Sequence, residues 1–511
     1  MSLRVAVVGG GPGGLSFAAL VRRADPSVAV TVFERNRPDD TFGFGVVFSD
    51  ATLSNLSDAD PVLREALEEH GVHWDRIEVR LKGRRLHCAG NGMAAIARRT
   101  LLSLLQARAA EAGAELRFQA EVAGLDDLSG YDLVVAADGG NSRLRGALAS
   151  TLQPGVETAT AKFIWFGTTQ RFDGLTFVHE RGPHGVFAVH GYPISDAVST
   201  FIVETDEESW RRAGLDAFDT TRPPGPSDLR TKVYLEELFA AHLDGHELLV
   251  NNSRWANFRT WRCARWRAGR VVLLGDAAHT AHFSVGSGTK MAMEDAVSLA
   301  GCVAGCGGHL DAALDAYEAQ RRPQVRRIQD SARPSLSWWE HFGRYHDAFE
   351  PAQFAFHFLT RALGRDKLHR RDAAFVDAVE RDWLDEHHHP PLDTPLRCGG
   401  VSLPGRVVSV DQLAGARVLR VDAPATEAGL AAAVAELERG AAAAPDLALV
   451  AGGTSLTRTL LAEECRLRLR LCAVVMEEGL DRDRAVRLVL SGRADAVAVP
   501  AGVLAAAGTP A

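Results

Sequence analysis

Lysine is almost absent from this 511-residue chain. Lys82, Lys162, Lys232, Lys290 and Lys367 are the only five among 57 basic residues, and arginine supplies the rest. We read that as coding bias. Excess positive charge is absent too: the formal net charge is −8, which argues against generic nucleic-acid binding. No apolar run reaches the roughly 20 residues that a membrane-spanning helix needs. The seven cysteines (88, 263, 302, 306, 398, 465 and 472) contain no Cys-x-x-Cys pair, and Cys302 and Cys306, one helical turn apart, have no further ligand beside them. No metal site is expected, and all seven are expected to be reduced thiols of a cytoplasmic protein. The apolar run after Arg4 is short and glycine-broken, so it is expected to be a first strand rather than a leader. The length allows two or three domains with sizeable cores.

That first run carries the strongest signal. Val5-Ala6-Val7-Val8-Gly9-Gly10-Gly11-Pro12-Gly13-Gly14 is followed, twenty residues on, by Glu34. The pattern predicts a buried parallel strand over 5–8, a tight turn at Gly9, a helix over 13–24 and a second strand over 28–33. Gly11 lets a pyrophosphate approach the backbone, and Gly14 lets the helix pack on the strand. The helix N-terminus then faces phosphate, and Glu34 reaches a ribose. A bound dinucleotide follows.

Two later segments bear on which dinucleotide. Tyr131-Asp132-Leu133-Val134-Val135-Ala136-Ala137-Asp138-Gly139 reads as a strand ending in Asp-Gly. Arg270-Val271-Val272-Leu273-Leu274-Gly275-Asp276-Ala277-Ala278-His279 reads as another, leading to Gly286-Ser287-Gly288 and a helix. An aspartate at a strand's carboxyl end suits a ribitol hydroxyl, and a glycine pair opening a helix offers N–H groups to a second polar group. Together the three segments resemble those of the single-component FAD-dependent aromatic monooxygenases, in the same order over about residues 3–330. The resemblance implies FAD held by Gly9, Gly11, Pro12, Gly13, Gly14, Glu34, Arg35, Val46, Arg98, Asp138, Gly139, Gly275, Asp276, Gly286 and Gly288. Arg99 is the alternative to Arg98 in register. It also implies NAD(P)H as co-substrate without a domain of its own.

Two departures from the broad family narrow the resemblance: Phe283 stands where many members have proline, and Gly288-Thr289-Lys290 where many have Gly-x-Asn. The run from Gly275 to Met291, with Gly43-Phe44-Gly45-Val46-Val47-Phe48-Ser49-Asp50 and Lys162-Phe163-Ile164-Trp165-Phe166-Gly167-Thr168, is similar to the salicylyl-CoA 5-hydroxylase and 2-aminobenzoyl-CoA monooxygenase subgroup. These stretches, and Ser199-Thr200-Phe201-Ile202-Val203-Glu204, also resemble the tryptophan hydroxylase of violacein biosynthesis. The subgroup implies hydroxylation of salicylyl-CoA to 5-hydroxysalicylyl (gentisyl)-CoA by a C4a-hydroperoxyflavin formed with NAD(P)H and O2. The alternatives are 2-aminobenzoyl-CoA, tryptophan or another free aromatic as substrate, and a non-catalytic flavoprotein scaffold. A flavin halogenase is disfavoured, because Trp-x-Trp-x-Ile-Pro is missing.

The expected architecture is α/β. A Rossmann-like FAD domain takes residues 1–72, 93–155 and 268–335. A substrate domain takes 73–92 and 156–267, with antiparallel strands over 162–172, 175–180, 185–192 and 197–205. Pro223-Pro224-Gly225-Pro226 reads as a rigid connector. A helical segment follows at 336–393, and the arginines of Arg321-Arg322-Pro323 and Arg326-Arg327 read either as a solvated face or as a site for CoA phosphates. Residues 394–511 alternate strand and helix, and both ends of this segment resemble old-yellow-enzyme barrels. With about 117 residues where a (β/α)8 barrel needs about 200, they imply a truncated remnant of a TIM-barrel-type domain. His282, in the loop expected over the flavin, is the candidate base. His190, Tyr192 and Phe283 are candidate substrate contacts. The partners expected are an aromatic small molecule and O2, with no nucleic acid and no membrane, in a monomer or homodimer.

Overall fold

The computed structural model describes residues 3–49, 61–219 and 225–507. Asp50 and the Pro223-Pro224 pair lie outside them. The chain divides into two compact units, Met1–Arg80 with Asn91–His341, and Leu81–Gly90 with Phe342–Ala511. Residues 81–90, expected in the substrate layer, thus belong to the second unit, and residues 336–341 to the first.

In the first unit, the apolar run forms strand Arg4–Val8 at the centre of a sheet. It pairs in parallel with Ala29–Glu34 on one side and Leu133–Ala136 on the other. Glu115–Phe118 extends the first side and Val271–Leu273 the second, again in parallel. Val5, Ala6 and Val7 are fully buried, as a strand covered on both faces requires. The helix Pro12–Ala24 crosses the helix Gly288–Ala304 closely, because a β-carbon on Gly13 would collide with Leu274 and crowd Ala292.

A second, antiparallel sheet holds the four expected strands, observed as Pro154–Thr168, Leu175–Gly182, Gly185–Pro193 and Ser199–Thr205. Ala256–Cys263, not anticipated, pairs with the first of them across a bulge between Thr158 and Lys162. Its sequence, Ala-Asn-Phe-Arg-Thr-Trp-Arg-Cys, lacks the apolar alternation that marks the others. One face of this sheet is all core: Ile164, Phe166, Val178, Phe187, Val189, Phe201 and Val203 pack with Leu235, Phe239 and Leu243. Period-2 alternation therefore turns Phe163, Trp165, His190, Tyr192, Ile202 and Glu204 to the other face. A small third sheet joins Gly45–Ser49, Met93–Ala97 and Val72–Trp74.

The second unit contains a parallel sheet in the order Val407–Ser409, Ala496–Val499, Ala473–Met476, Leu447–Gly452, Val418–Ala423. Its two edge strands do not pair with each other, so the sheet is open. Cys398 and Cys472 form a disulfide with a Cα separation of 6.0 Å. This corrects the expectation of seven reduced thiols. Spacing hid the pair, because only the fold brings the hairpin Leu396–Cys398/Val401–Leu403 beside the residue that precedes Ala473–Met476.

The same unit buries a charged network around Glu463. Arg344 stands 3.2 Å and Arg493 3.5 Å from its carboxylate, His357 stands 3.3 Å away, and the Tyr345 hydroxyl donates to it. Burial alone would raise this carboxyl, but His357, Arg344 and Arg493 outweigh it and hold it at about 2. Burial and the Arg493 charge push His357 down to about 3, so above that pH the compensating charge is arginine. Both folded values lie below their ordinary ones. Stability is therefore complete above about pH 6.5 and is lost as pH falls, first through proton uptake at His357 and then at Glu463. Urea unfolding is expected to show a midpoint that falls steadily from pH 7 to pH 4. At pH 7, Glu463→Gln is expected to cost about 3 kcal/mol, as an uncompensated buried arginine does.

Candidate functional site

The glycine turn separates two kinds of glycine. Gly9 has φ +114°, and a β-carbon there would strike the Ala137 carbonyl. One on Gly14 would strike the Gly9 carbonyl. Gly11 is different. It has extended backbone at the N-cap of helix Pro12–Ala24, and a β-carbon there meets nothing within 4 Å. The first turn of that helix carries no acidic side chain, which leaves its N–H groups electropositive. Glu34 accepts from the Gly10 N–H at 2.8 Å and from the Asn36 N–H and side-chain amide at 2.8 Å each. It thereby frames the turn. Arg35 is exposed.

Asp138 and Gly139 follow strand Leu133–Ala136. Asp138 Oδ2 accepts the Arg143 N–H at 2.9 Å, while buried Oδ1 has no partner among the described residues. Arg145, two residues beyond Arg143, is buried. It donates to the carbonyls of Gly140 at 2.6 Å and Ala277 at 2.9 Å, and its guanidinium lies 3.7 Å over the Trp261 ring. It ties the Asp-Gly loop to the Gly-Asp loop.

That second loop is anchored from behind. Gly275 donates to Asp295 Oδ2 at 3.1 Å, His279 Nε2 lies 2.7 Å from the same oxygen, and Arg321 Nε donates to Oδ1 at 2.8 Å. Asp276 is exposed, unlike the buried residues on either side of it. Desolvation by the surrounding protein, although the residue keeps solvent contact, and the nearby Asp295 charge raise its carboxyl above the ordinary range, against the pull of His279, Arg98 and Arg145. Arg98 faces Asp276 electrostatically and donates to the Phe42 carbonyl at 2.7 Å, whereas Arg99 turns out to Asp39. Gly286 (φ +61°) lies near the Val47 carbonyl, and a β-carbon on Gly288 meets nothing. Val46 buries its side chain in the main core and pairs with Ile96 in the small sheet.

The polar face of the antiparallel sheet brings the remaining candidates together. Phe283 packs 5.0 Å from Phe163, 5.9 Å from Trp165 and 5.5 Å from His190, ring centre to ring centre. Tyr192 stacks on Trp74 at 6.3 Å, and burial pushes its hydroxyl up to about 12, so it stays a neutral donor. His282 is buried with both ring nitrogens engaged: Nε2 is 3.0 Å from Glu204 and Nδ1 is 2.7 Å from the Ser284 hydroxyl. His190 Nε2 is 3.3 Å from the other Glu204 oxygen. Glu204 was not among the predicted site residues. The available signal was an acidic residue in a strand, Ser199–Thr205, that is buried throughout. Of the arginines weighed for CoA phosphates, Arg321 is buried against Asp295 and Glu294, whereas Arg322 and Arg326 are exposed, 3.2 Å from Glu318 and 3.9 Å from Asp330. Among the described residues no cluster is disposed to hold a metal ion, and no helix is long and apolar enough to cross a membrane.

The family model described as an FAD binding domain matches residues 2–332. Salicyloyl-CoA 5-hydroxylase of a Streptomyces species is 58% identical over 97% of this chain and 99% of its own length. 3-Hydroxy-4-methyl-anthranilyl-[aryl-carrier protein] 5-monooxygenase of Streptosporangium sibiricum is 37% identical over 66% of this chain and 89% of its own. Protodeoxyviolaceinate monooxygenase of Chromobacterium violaceum is 32% identical over 66% and 89%.

The two kinds of glycine give a test. Gly11→Val is expected to fold with unchanged far-UV circular dichroism and to purify with little or no flavin absorbance near 450 nm. Gly9→Val and Gly14→Val are expected to lose soluble folded protein altogether, because the collisions there are with the protein's own backbone.

Proposed function

Because the chain belongs to the FAD binding domain family, and within it to the flavin-dependent aromatic monooxygenases, we propose that its substrate is an aryl-CoA thioester. Salicyloyl-CoA is the first choice, hydroxylated at the carbon para to its hydroxyl. The observation that carries this reading is the reach of the 58% identity to salicyloyl-CoA 5-hydroxylase: it runs through 97% of the chain, the second unit included. A second relative acts, by its name, on an anthranilyl group carried by a protein, so acyl-carrier substrates recur among the relatives.

The residues fit FAD. The open space at Gly11, the buried Asp138 oxygen without a partner among the described residues and the exposed Asp276 lie along the three motif segments in the order an extended dinucleotide needs. On this reading the turn at Gly9–Gly14 and Glu34 take the ADP half. Asp138, Gly139 and Asp276 take the ribitol and pyrophosphate side. The Val46 backbone with Gly286 and Gly288 lies at the ring. Bound FAD, reduced by NAD(P)H, supplies the activation of O2. The chain excludes water and positions the ring, with Phe283 and Tyr192 as walls and His190 beside them. His282 takes the proton from the substrate hydroxyl, which raises electron density at the para carbon.

We assign the FAD domain to residues 1–72, 93–155 and 268–335 and the substrate layer chiefly to 156–267. For residues 394–511 we retain the barrel-remnant reading, supported by five parallel strands with open edges. We place the protein in the cytoplasm, as a monomer or homodimer.

The test is a panel of salicyloyl, 2-aminobenzoyl and benzoyl compounds, free and as CoA thioesters, each incubated with NADH or NADPH and scored by product mass. Salicyloyl-CoA is expected to gain one oxygen with the tightest coupling of nicotinamide oxidation to product. Equal coupling with free salicylate or tryptophan would remove the thioester claim. Denatured holoenzyme is expected to release one FAD per chain and no FMN.

A further inference from the structure

The hydrogen bonds around His282 fix its tautomer. The Ser284 backbone N–H, 3.4 Å from Nδ1, can only donate. Nδ1 is therefore the acceptor nitrogen, and Nε2 carries the hydrogen, directed at Glu204 Oε1 3.0 Å away. The Ser284 hydroxyl, 2.7 Å from the same Nδ1, is its second donor, and behind it stands the Ser335 hydroxyl at 2.9 Å. The result is a continuous chain of hydroxyl, imidazole and carboxylate. Its carboxylate end is also bonded by His190.

We propose that Glu204 is a positioning residue for the hydroxylation, holding His282 so that Nδ1 takes a proton relayed from the substrate's ring hydroxyl through Ser284. This rests on the aryl-CoA reading above. In the step, the substrate O–H bond breaks and its electron pair stays on the ring oxygen. The proton joins Ser284 Oγ as the serine's own proton passes to Nδ1. The imidazolium so formed faces a carboxylate that is already ionised, and no co-reactant is needed. A hydroxyl oxygen has two lone pairs, so Ser284 can accept from Ser335 and from substrate at once.

The surroundings suit a proton relay. Glu204 is 1% exposed. Burial by itself would raise its carboxyl, but the two imidazoles outweigh that and hold it at about 2. It is therefore a carboxylate throughout any assay range. The groups beside it are His190 from strand Gly185–Pro193, His282 from the loop and Phe163 from Pro154–Thr168, with Phe283 packed on His190, His282 and Phe163. Phe258 lies against His282, and Trp339 lies against His190 at 4.4 Å. His179 stands behind Trp339, stacked on it at 6.0 Å. The ionisable groups that act on the carboxylate are thus the two imidazoles.

The experiment uses FAD-loaded wild type, Glu204→Gln, Glu204→Asp and Ser284→Ala. First, salicyloyl-CoA is bound to oxidised enzyme without nicotinamide, and ionisation of its phenol is followed by ultraviolet absorbance against pH. Second, kcat for product formation is measured from pH 6 to 9 with salicyloyl-CoA and with a nitro-substituted salicyloyl-CoA, whose phenol is more acidic. Glu204→Gln and Ser284→Ala are expected to shift bound-phenol ionisation to higher pH and to lower kcat at pH 7 by about a hundredfold, with KM little changed. The acidic analogue is expected to recover most of that loss, and Glu204→Asp to recover part of it. A merely structural role would move flavin content and stability but not the ionisation curve. If Glu204→Gln fails to fold, Ser284→Ala decides, since its side chain is half-buried and small. Wild-type ionisation and kcat in Ser284→Ala, or in folded Glu204→Gln, would overturn the relay while leaving the aryl-CoA function intact. A wild type that ignores salicyloyl-CoA would overturn the function and the relay together.

Discussion

The front of the site hangs on one buried carboxylate. Asp295 is fully buried and accepts from the Gly275 N–H, His279 and Arg321. Burying a charge is costly unless it is paired and hydrogen-bonded on every side, and here each oxygen has its donors. Burial opposes its ionisation, and His279 and Arg321 more than reverse that, so its carboxyl sits below the ordinary range. With Asp295 fixed, Gly275 is held at φ +62°, Asp276 is thrust forward, and His279 is stacked on Trp266 at 5.0 Å. The loop then reaches His282 and Phe283 in a defined place. An apolar residue at 295 would leave the Gly275 N–H without its side-chain acceptor and Arg321 with Glu294 as its one remaining carboxylate.

The antiparallel sheet works by contrast between its faces. One face is saturated with aliphatic and aromatic core, so its strands cannot slip by a residue without exposing all of it. That rigidity lets the opposite face carry a buried glutamate between two histidines, an arrangement that tolerates little misplacement. Packing on one side thus underwrites acid–base geometry on the other.

Much of this was legible in the sequence, and the reason is local. The turn at Gly9–Gly14, the Asp138-Gly139 and Gly275-Asp276 strand ends and three of the four antiparallel strands are each specified within ten residues by backbone demands and alternation, whereas the strand Pro154–Thr168 runs over 15 residues and starts well before the expected 162. What escaped depends on pairing across the sheet or between distant loops. Glu204 is remarkable only once strand register sets it opposite Ala188 and beside His190. Arg145 looks like any arginine near a loop until the fold places the carbonyls of Gly140, Asp276 and Ala277 and the Trp261 ring round it. Cys398 and Cys472 are 74 residues apart. His282 was found as a residue, but that both its nitrogens are occupied could not be read from its position.

The glycine turn has a consequence for judging distant relatives. Gly9 and Gly14 are required by the protein's own backbone, so drift would preserve them even in a descendant that no longer held a dinucleotide. Gly11 is under no such internal demand. Of the three fingerprint positions, only the middle one is free to decay when the ligand is lost. A homologue that keeps the outer glycines and carries a bulky residue between them is therefore a fold survivor whose cofactor chemistry has lapsed.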